Sequence, residues 1–308
     1  MAERLACLSC GKRVRRERVC RSCRRAPLRG AGTRFDLRDC LAVDETSVLY
    51  RAIDKTDRST VAVRVVRPNA RTLDRERVVA EARVLHALHG TDGLPRFVYA
   101  GTLHTTQTEY WAYEYIEGEP LPKALRRQRA SRVLDQFLHV LDAAAVLHKA
   151  KWVHCALTPR HVMVNRNGEV RLVDLRCARH SGSLSHGLGA RGFRAPEQYV
   201  QTAPVTPATD VFALACTFYQ LLTGLLPYPP GRGDRVFPRC TPIPLSEVTS
   251  RLTADVDDVV MQALSLVPEA RYADAGAFRE ALWRHVAGAT VVDVDGPARL
   301  PFWQRWRA

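Results

Sequence analysis

The stretch His154-Cys155-Ala156-Leu157-Thr158-Pro159-Arg160-His161 decides how the rest of this chain is interpreted. It follows a predicted long helix, residues 130–149, whose apolar side chains recur at helical spacing. Two short β-branched segments come after it, residues 162–164 and 170–173, and the dipeptide Asn167-Gly168 between them predicts a tight hairpin. The stretch is therefore predicted to be a loop that joins a long helix to a hairpin.

Further elements precede and follow this loop. Residues 36–42, 47–53 and 60–66 are predicted strands, since they are rich in β-branched and apolar residues and are separated by polar turns. A helix is predicted over 73–89. The short motifs along the chain are Val61-Ala62-Val63-Arg64, Trp111-Ala112-Tyr113-Glu114-Tyr115-Ile116-Glu117-Gly118, Asp174-Leu175-Arg176, Gly192-Phe193-Arg194-Ala195-Pro196-Glu197 and Pro268-Glu269-Ala270-Arg271-Tyr272.

In their residues and their order, these motifs resemble those of the protein kinase superfamily, in its bacterial serine/threonine form, over about residues 34–287. The resemblance implies a two-lobed α+β fold, with a small β-rich lobe at about 35–116 and a larger helical lobe at about 117–287. It identifies Asp210 as the aspartate that braces the loop backbone. It also implies that Glu197 and Arg271 form an ion pair that ties the activation segment to the large lobe.

The positions that perform chemistry in this family are altered here. The family loop reads H-R-D-x-x-x-x-N, in which the Asp accepts the substrate's proton and the Asn holds Mg²⁺. These two positions are Ala156 and His161, and Thr158 stands where a lysine approaches the transferred phosphate. Asp174, in the D-F-G motif, is the one metal-binding carboxylate in place, and Arg176 replaces the motif's glycine. Because alanine cannot accept a proton, phosphoryl transfer is expected to be slow or absent.

The nucleotide-binding positions are altered as well. Arg64 replaces the lysine that pairs with the α and β phosphates, and its larger planar fork is not equivalent. Glu81 is the expected ion-pair partner of this position. The three glycines of the phosphate-covering loop correspond to Ala42, Asp44 and Ser47, so we expect ATP and Mg²⁺ to bind unproductively or not at all. The pocket residues that the resemblance implies are Arg64, Glu81, Glu114, Ile116 and Asp174.

Two C-x-x-C pairs lie near the N-terminus, Cys7-Leu8-Ser9-Cys10 and Cys20-Arg21-Ser22-Cys23. This spacing is typical of a tetrahedral thiolate site for structural Zn²⁺, with Cys7, Cys10, Cys20 and Cys23 as ligands. A redox pair or a disulfide pair is the alternative. We call residues 1–26 the cysteine knuckle, followed by a basic linker, 27–34. So short a segment cannot build its own core, so metal binding is expected to fold it.

The net charge of +14 is concentrated in residues 1–34, which contain eleven Arg or Lys and two Glu, a net +9. These arginines indicate nucleic-acid contact, an acidic protein surface as partner, or a solvated face. No aromatic residue lies in this segment, so it lacks the stacking platform of a single-strand binder. A protein partner is therefore the first expectation, and nucleic acid the second.

Secreted and membrane-spanning classes are not indicated. Arginines interrupt the N-terminal segment, which excludes a signal peptide. The longest apolar run, residues 211–228, contains polar residues and is predicted to be a buried helix. Five scattered cysteines suggest reduced thiols and a cytoplasmic location. The tail, residues 288–308, places aromatics among basic residues and is expected to fold back or to dock on a partner.

The substituted positions are those that contact ATP, the metal or the acceptor hydroxyl in the family. The positions that hold the lobes together are kept. This pattern predicts a pseudokinase that acts as a binding scaffold or allosteric regulator, with the cysteine knuckle as a second interaction surface. One alternative is an unorthodox ATP-dependent serine/threonine kinase, or another phosphoryl or nucleotidyl transferase, in which Asp174 and His161 hold a cation. Another is a zinc-ribbon nucleic-acid-binding adaptor that the kinase-like body regulates.

Overall fold

The computed structural model describes residues 4–15, 20–22, 34–103, 106–126, 128–184, 187–228, 241–248 and 255–287. Cys23, the linker up to residue 33 and the tail 288–308 lie outside the described residues. The chain divides into two compact units, residues 1–117 and 118–308.

The first unit is built on a five-stranded antiparallel sheet, with its strands in the spatial order 35–43, 47–54, 60–66, 108–114 and 97–103. The three strands predicted at 36–42, 47–53 and 60–66 are present with ends within one residue of the prediction, and the helix predicted at 73–89 is α1. The elements of this unit are β1 (Arg4–Ala6), β2 (Arg13–Arg15), β3 (Phe35–Val43), β4 (Ser47–Asp54), β5 (Thr60–Val66), α1 (Thr72–Ala87), β6 (Phe97–Leu103) and β7 (Thr108–Glu114).

The cysteine knuckle shares its core with this sheet. Its hairpin, β1 paired with β2, places Leu5, Leu8 and Val14 in the same buried cluster as side chains of β3, β4 and β5. The hydroxyl of Tyr50 on β4 donates a hydrogen bond to the carbonyl of Ala6 at 2.8 Å. Burial raises the pKa of this tyrosine well above its ordinary value. The described part of the knuckle is therefore a layer of the first unit's core.

The second unit is mainly helical. The helix predicted at 130–149 is present with those bounds, and the predicted hairpin pairs Val162 with Leu172, turning at Gly168 with φ of 83°. The elements of this unit are β8 (Gly118–Pro120), α2 (Leu121–Ala124), α3 (Ala130–Lys149), β9 (Trp152–Val153), β10 (Val162–Asn165), β11 (Val170–Leu172), β12 (Arg179–His180), α4 (Pro207–Thr223), α5 (Leu245–Val248), α6 (Asp255–Ala263) and α7 (Ala275–Ala287).

Helices α3, α4 and α7 form the core of the second unit. Phe137 on α3 stacks on Phe218 of α4 at a ring-centroid distance of 4.6 Å. Phe278 of α7 contacts the Phe137 ring edge-on, at a centroid distance of 6.2 Å. The apolar run at 211–228 is mostly the buried helix α4, which ends at Gly224 with φ of 76°. In the described ranges, no helix has the length and apolarity that a membrane span requires. A sheet-based unit followed by a helical unit confirms the α+β fold class.

The predicted ion pair of Glu197 and Arg271 is present in the second unit. Two parallel hydrogen bonds of 2.8 and 2.9 Å join the guanidinium to the carboxylate, and both side chains are buried. Arg271 also donates to the carbonyl of Ala208 on α4 at 2.9 Å and lies over the ring of Phe212. The pair therefore connects the activation segment to α4, which is the structural role that the sequence predicts.

We expect Arg271→Met to lower the free energy of unfolding by about 3 to 5 kcal/mol, because it leaves the Glu197 carboxylate buried without its partner. Urea denaturation measures this loss. Arg284→Met is the matched control, since Arg284 forms an exposed pair with Glu280 one helical turn away, and should cost less than about 0.5 kcal/mol. Equal losses in the two variants would contradict a buried structural role for Arg271.

Candidate functional site

Hydrogen bonds to the Asp210 side chain hold the backbone of the loop at 154–161 in place. This carboxylate, fully buried in the first turns of α4, accepts hydrogen bonds from the backbone amides of His154 at 2.6 Å and Cys155 at 2.9 Å. The predicted bracing contact is therefore present. Cys155 has φ of 63°, a left-handed conformation that costs energy for a residue with a side chain and needs such support. The loop's shape depends on a carboxylate outside the loop.

His148 on α3, which the sequence motifs do not indicate, is a third hydrogen-bond donor to Asp210. The amide of Ala275 donates to His148 Nδ1 at 3.1 Å, so the proton of this ring is on Nε2, which lies 3.1 Å from the Asp210 carboxylate and donates to it. Nothing in the local pattern of α3 marks this residue, because its partners are 62 and 127 positions away.

His154 is a structural residue of the loop. Its Nε2 lies 3.1 Å from the carbonyl of Val173, so this nitrogen carries the proton. Burial lowers the pKa of His154, although the nearby Asp210 carboxylate opposes that effect. The imidazole is therefore neutral at pH 7 and joins the loop to the segment after β11.

The altered positions of the loop are packed into the protein. Ala156 and Thr158 are both buried. The carbonyl of Ala156 accepts a hydrogen bond from His161 Nδ1 at 2.7 Å, and the carbonyl of Thr158 accepts one from the His161 amide at 3.0 Å. His161 therefore turns one ring nitrogen back onto the loop backbone. Its other ring nitrogen lies 3.5 Å from the Asp174 carboxylate.

The retained metal-binding carboxylate is paired within the protein. Arg176 donates from Nη2 to Asp174 Oδ2 at 2.8 Å and from Nε to Oδ1, so one guanidinium engages both carboxylate oxygens. The Asp174 side chain is only 19% exposed. A divalent cation that used this carboxylate in the usual way would have to displace the guanidinium. The sequence motif indicates only that Arg176 replaces a glycine and does not predict this pairing.

In the first unit, Arg64 and Glu81 form the predicted ion pair. Arg64 Nε lies 2.6 Å from Glu81 Oε2, and both side chains are buried. The same carboxylate oxygen accepts a hydrogen bond from the indole of Trp111 at 3.1 Å, and Arg64 Nη1 reaches the Ser47 hydroxyl at 3.3 Å. Sequence reasoning missed the part played by Trp111. The arginine at the family's lysine position is thus tied into the core of its own unit.

The turn that joins β3 to β4, taken here as residues 44–47 and ending at the first residue of β4, corresponds to the phosphate-covering loop. The carboxylate of Asp44 accepts hydrogen bonds from the amides of Thr46 at 2.8 Å and Ser47 at 2.7 Å. Backbone amides in such turns are the groups that bind anions, and here a side-chain carboxylate occupies them. Ala42, the remaining altered glycine position, is exposed near the end of β3. The spacing of Asp, Thr and Ser is a recognisable Asx-turn signal.

The two predicted pocket residues near the end of the first unit have different surroundings. Glu114 ends β7, and its carboxylate accepts a hydrogen bond from the Arg96 amide at 3.1 Å. Ile116 is buried. Glu114 therefore uses its side chain on a neighbouring loop of its own unit.

Three of the four predicted metal ligands meet in the cysteine knuckle. The sulfurs of Cys7, Cys10 and Cys20 all lie within 4.8 Å of one another, and the Cys10 and Cys20 sulfurs are 3.4 Å apart. Sulfurs around a tetrahedral zinc ion, with Zn–S bonds of about 2.3 Å, lie about 3.8 Å apart. Gly11 closes the first pair's turn with φ of 75°, a left-handed conformation that glycine adopts without steric cost. The fourth predicted ligand, Cys23, is outside the described residues, and the described three are placed to hold a metal.

Comparison with known proteins supports the kinase-like fold. Residues 44–282 match the family described as protein kinase domain. Among curated relatives, a probable serine/threonine-protein kinase of Streptomyces coelicolor is 29% identical over 55% of this chain and 27% of its own length. PksC of the same organism is 28% identical over 83% of this chain and 50% of its own length.

A third relative, the serine/threonine-protein kinase PknK of Mycobacterium tuberculosis, is 27% identical over 80% of this chain and 23% of its own length. The chain thus spans between about a quarter and half the length of these relatives. The family match covers most of the chain and extends across the boundary between the two compact units, but it does not include the cysteine knuckle. The chain therefore belongs to the protein kinase domain family.

Proposed function

We propose that this chain is a pseudokinase, a kinase-like body that binds a protein partner as a scaffold or allosteric regulator. The observation that carries the proposal is the ion pair of Asp174 with Arg176. A kinase uses this aspartate to hold Mg²⁺ on the phosphates of ATP. Here the guanidinium occupies both carboxylate oxygens, and Ala156 offers no base for a substrate hydroxyl.

One contact in the first unit supports the same function. The Asp44 carboxylate occupies the amides of its own turn. ATP phosphates would have to compete with a carboxylate for those amides. The Arg64–Glu81 pair, by contrast, is one that an active kinase also keeps between the corresponding lysine and glutamate, so it belongs with the structural contacts.

The contacts that maintain the fold support a body retained for its shape. Asp210 still binds the loop backbone, and Glu197 still forms two hydrogen bonds with Arg271. Random loss would damage these structural contacts as often as the chemical positions. A selective loss is what a protein used for binding would show.

The second candidate function is an unorthodox ATP-dependent kinase or another phosphoryl or nucleotidyl transferase. Two observations favour it: the relatives are named serine/threonine-protein kinases, and His161 lies 3.5 Å from the retained Asp174. If Arg176 moved aside, this carboxylate and imidazole would present two ligands to one divalent cation. The test of the first proposal therefore has to include both Mg²⁺ and Mn²⁺.

For the cysteine knuckle we propose a structural Zn²⁺, with Cys23 as the fourth ligand beside Cys7, Cys10 and Cys20. Thiolate sulfurs favour zinc among common cellular cations, and four of them leave no open position for catalysis. The surface of the knuckle would then be a second contact region for a protein partner. Nucleic-acid binding stays a prediction, because most of the knuckle's arginine side chains lie outside the described residues.

We expect the purified chain to transfer no labelled phosphate from ATP, with either Mg²⁺ or Mn²⁺, above the level of an Asp174→Ala control. The reason is the loss of the base position at Ala156, which alone removes about 10²-fold or more of rate. Transfer by the wild-type chain that disappears in Asp174→Ala would overturn the pseudokinase proposal and support the second candidate.

We expect Arg176→Ala to create a response to divalent cation and nucleotide that the wild-type chain lacks, because it frees the Asp174 carboxylate. A thermal-shift titration with Mn²⁺ and ATP should raise the melting midpoint of the variant by about 2 °C or more. Arg171→Ala is the matched control, since Arg171 lies on the neighbouring strand and contacts Glu169 instead. A wild-type shift as large as that of Arg176→Ala would show that the ion pair does not block the carboxylate.

We expect one zinc per chain by elemental analysis, and a loss of that zinc in Cys7→Ser. Three thiols in one cluster provide most of a tetrahedral site, and removing one leaves too few ligands for tight binding. Cys40→Ser is the matched control, because Cys40 belongs to the same buried core but not to the cluster of three sulfurs. Equal zinc content in the two variants would exclude the proposed ligand set.

A further inference from the structure

Arg67 connects the cysteine knuckle to the turn at residues 44–47. Its side chain is buried and comes directly after β5. The guanidinium donates from Nε to the carbonyl of Leu8 at 3.0 Å and from Nη2 to the carbonyl of Ser9 at 2.8 Å. From Nη1 it donates to the carbonyl of Asp44 at 2.8 Å. One side chain therefore bonds both the knuckle and the turn.

The backbone of Arg67 strengthens the connection to the turn. Its amide donates to the carbonyl of Thr46 at 2.8 Å. The turn is thus held from two sides, by the Arg67 amide on one carbonyl and by the guanidinium on another. The guanidinium keeps its position only while the carbonyls on the knuckle side stay in place, because a planar fork bonds several acceptors only when they are correctly arranged.

Metal binding would arrange those acceptors. Leu8 and Ser9 are the two residues between the thiols of Cys7 and Cys10, so their carbonyls belong to the turn that grips the ion. The amide of Gly11 donates to the carbonyl of Cys7 at 2.8 Å and closes this turn. Metal bound to such a turn contributes folding energy, so we expect the turn to loosen when the metal is lost, even though Leu5 and Leu8 also pack in the core of the sheet.

The knuckle also packs closely against the end of β3. A side-chain carbon added at Gly11 would come within 3.1 Å of Val43 Cγ1 and 3.7 Å of Arg67 Nη1. Val43 is the residue directly before the turn at 44–47. A change in the knuckle's turn would therefore act on the β3–β4 hairpin through direct packing as well as through Arg67.

Charge favours the same coupling. A dication held by three or four thiolates leaves a centre with a net charge of about −1 or −2. The guanidinium of Arg67, bonded to the carbonyls of the ligand-bearing turn, supplies a buried positive charge beside that centre. Removing the metal would thus alter both the acceptors of Arg67 and the electrostatic reason for its buried position.

We propose that metal bound by Cys7, Cys10 and Cys20 holds the turn at 44–47 through Arg67, so that the knuckle is a metal-dependent latch on that turn. With metal bound, the Asp44 carboxylate stays on the amides of Thr46 and Ser47. Without it, the turn opens and those amides become available to solvent. This inference concerns regulation and does not depend on whether the body transfers phosphate.

The test is hydrogen exchange of the full chain, followed by mass spectrometry, with zinc bound and after removal of zinc by a chelator. Exchange in peptides that cover residues 42–48 should accelerate about tenfold on zinc removal, the effect of losing about one net hydrogen bond. Peptides from α3, in the second unit, should change less than twofold. Zinc content is measured on the same samples, so that binding and coupling are separated.

A variant of the latch residue gives an independent measurement. Arg67→Lys keeps the charge, but its three donors are on one nitrogen, whereas the carbonyls of Leu8, Ser9 and Asp44 bond three different nitrogens of the guanidinium. The variant should therefore accelerate exchange at 42–48 while zinc stays bound. Arg75→Lys is the matched control, because Arg75, like Arg67, donates to a backbone carbonyl of the same unit, that of Gln107, but its other acceptor is the Glu109 carboxylate and it does not contact the turn. It should leave exchange at 42–48 unchanged.

The outcomes distinguish the latch from the zinc site. A chain that binds no zinc overturns both. A chain that binds zinc, and whose exchange at 42–48 changes less than twofold on zinc removal, overturns the latch and leaves the zinc site intact. Equal exchange at 42–48 in Arg67→Lys and Arg75→Lys also overturns it. Only faster exchange both on zinc removal and in Arg67→Lys supports the proposal.

Discussion

The buried carboxylate of Asp210 is the contact on which the second unit depends. It accepts hydrogen bonds from two backbone amides of the loop after β9 and from the ring Nε2 of His148 on α3. The other ring nitrogen of His148 accepts a hydrogen bond from the first amide of α7. A buried charge is tolerated only when donors surround it, so the helices and the loop must all keep their positions. This requirement preserves the left-handed backbone at Cys155 although no catalytic aspartate follows it. The loop keeps a kinase-like shape because its support comes from the helices.

A common principle explains the substitutions around the family's nucleotide and metal positions. A kinase tolerates a metal-binding aspartate and a row of open amides because Mg²⁺ and phosphate satisfy them. In this chain Arg176 supplies the positive charge beside Asp174, and the Asp44 carboxylate supplies the anion for the turn's amides. Each substitution provides inside its own unit a charge that a ligand would bring. On the proposed function, each unit therefore satisfies these charges without ATP.

Local patterns in the sequence predict the elements of this fold well and its long-range contacts poorly. The helix at 130–149 and the hairpin at 162–172 follow from periodicity and from Asn167-Gly168, which are properties of neighbouring residues. Family motifs led to the pair of Arg64 with Glu81, because their roles are fixed by position. The bonds of Arg67 join residues up to 59 positions apart, and no local pattern indicates them. Likewise, a count of apolar residues treats the knuckle as too small for a core, whereas Leu5 and Leu8 share the core of the sheet.

The proposed latch follows from this internal satisfaction of charge. A kinase whose phosphate loop has open backbone amides can be regulated by nucleotide, because the phosphates of the bound nucleotide become the partners of those amides. A turn whose amides already hold the Asp44 carboxylate gains little from a phosphate, so its conformation would have to be controlled from another direction. Arg67 provides that direction, since it bonds the turn on one side and the ligand-bearing backbone of the knuckle on the other. A scaffold built in this way would respond to the metal in its knuckle, where an active kinase responds to the nucleotide between its lobes.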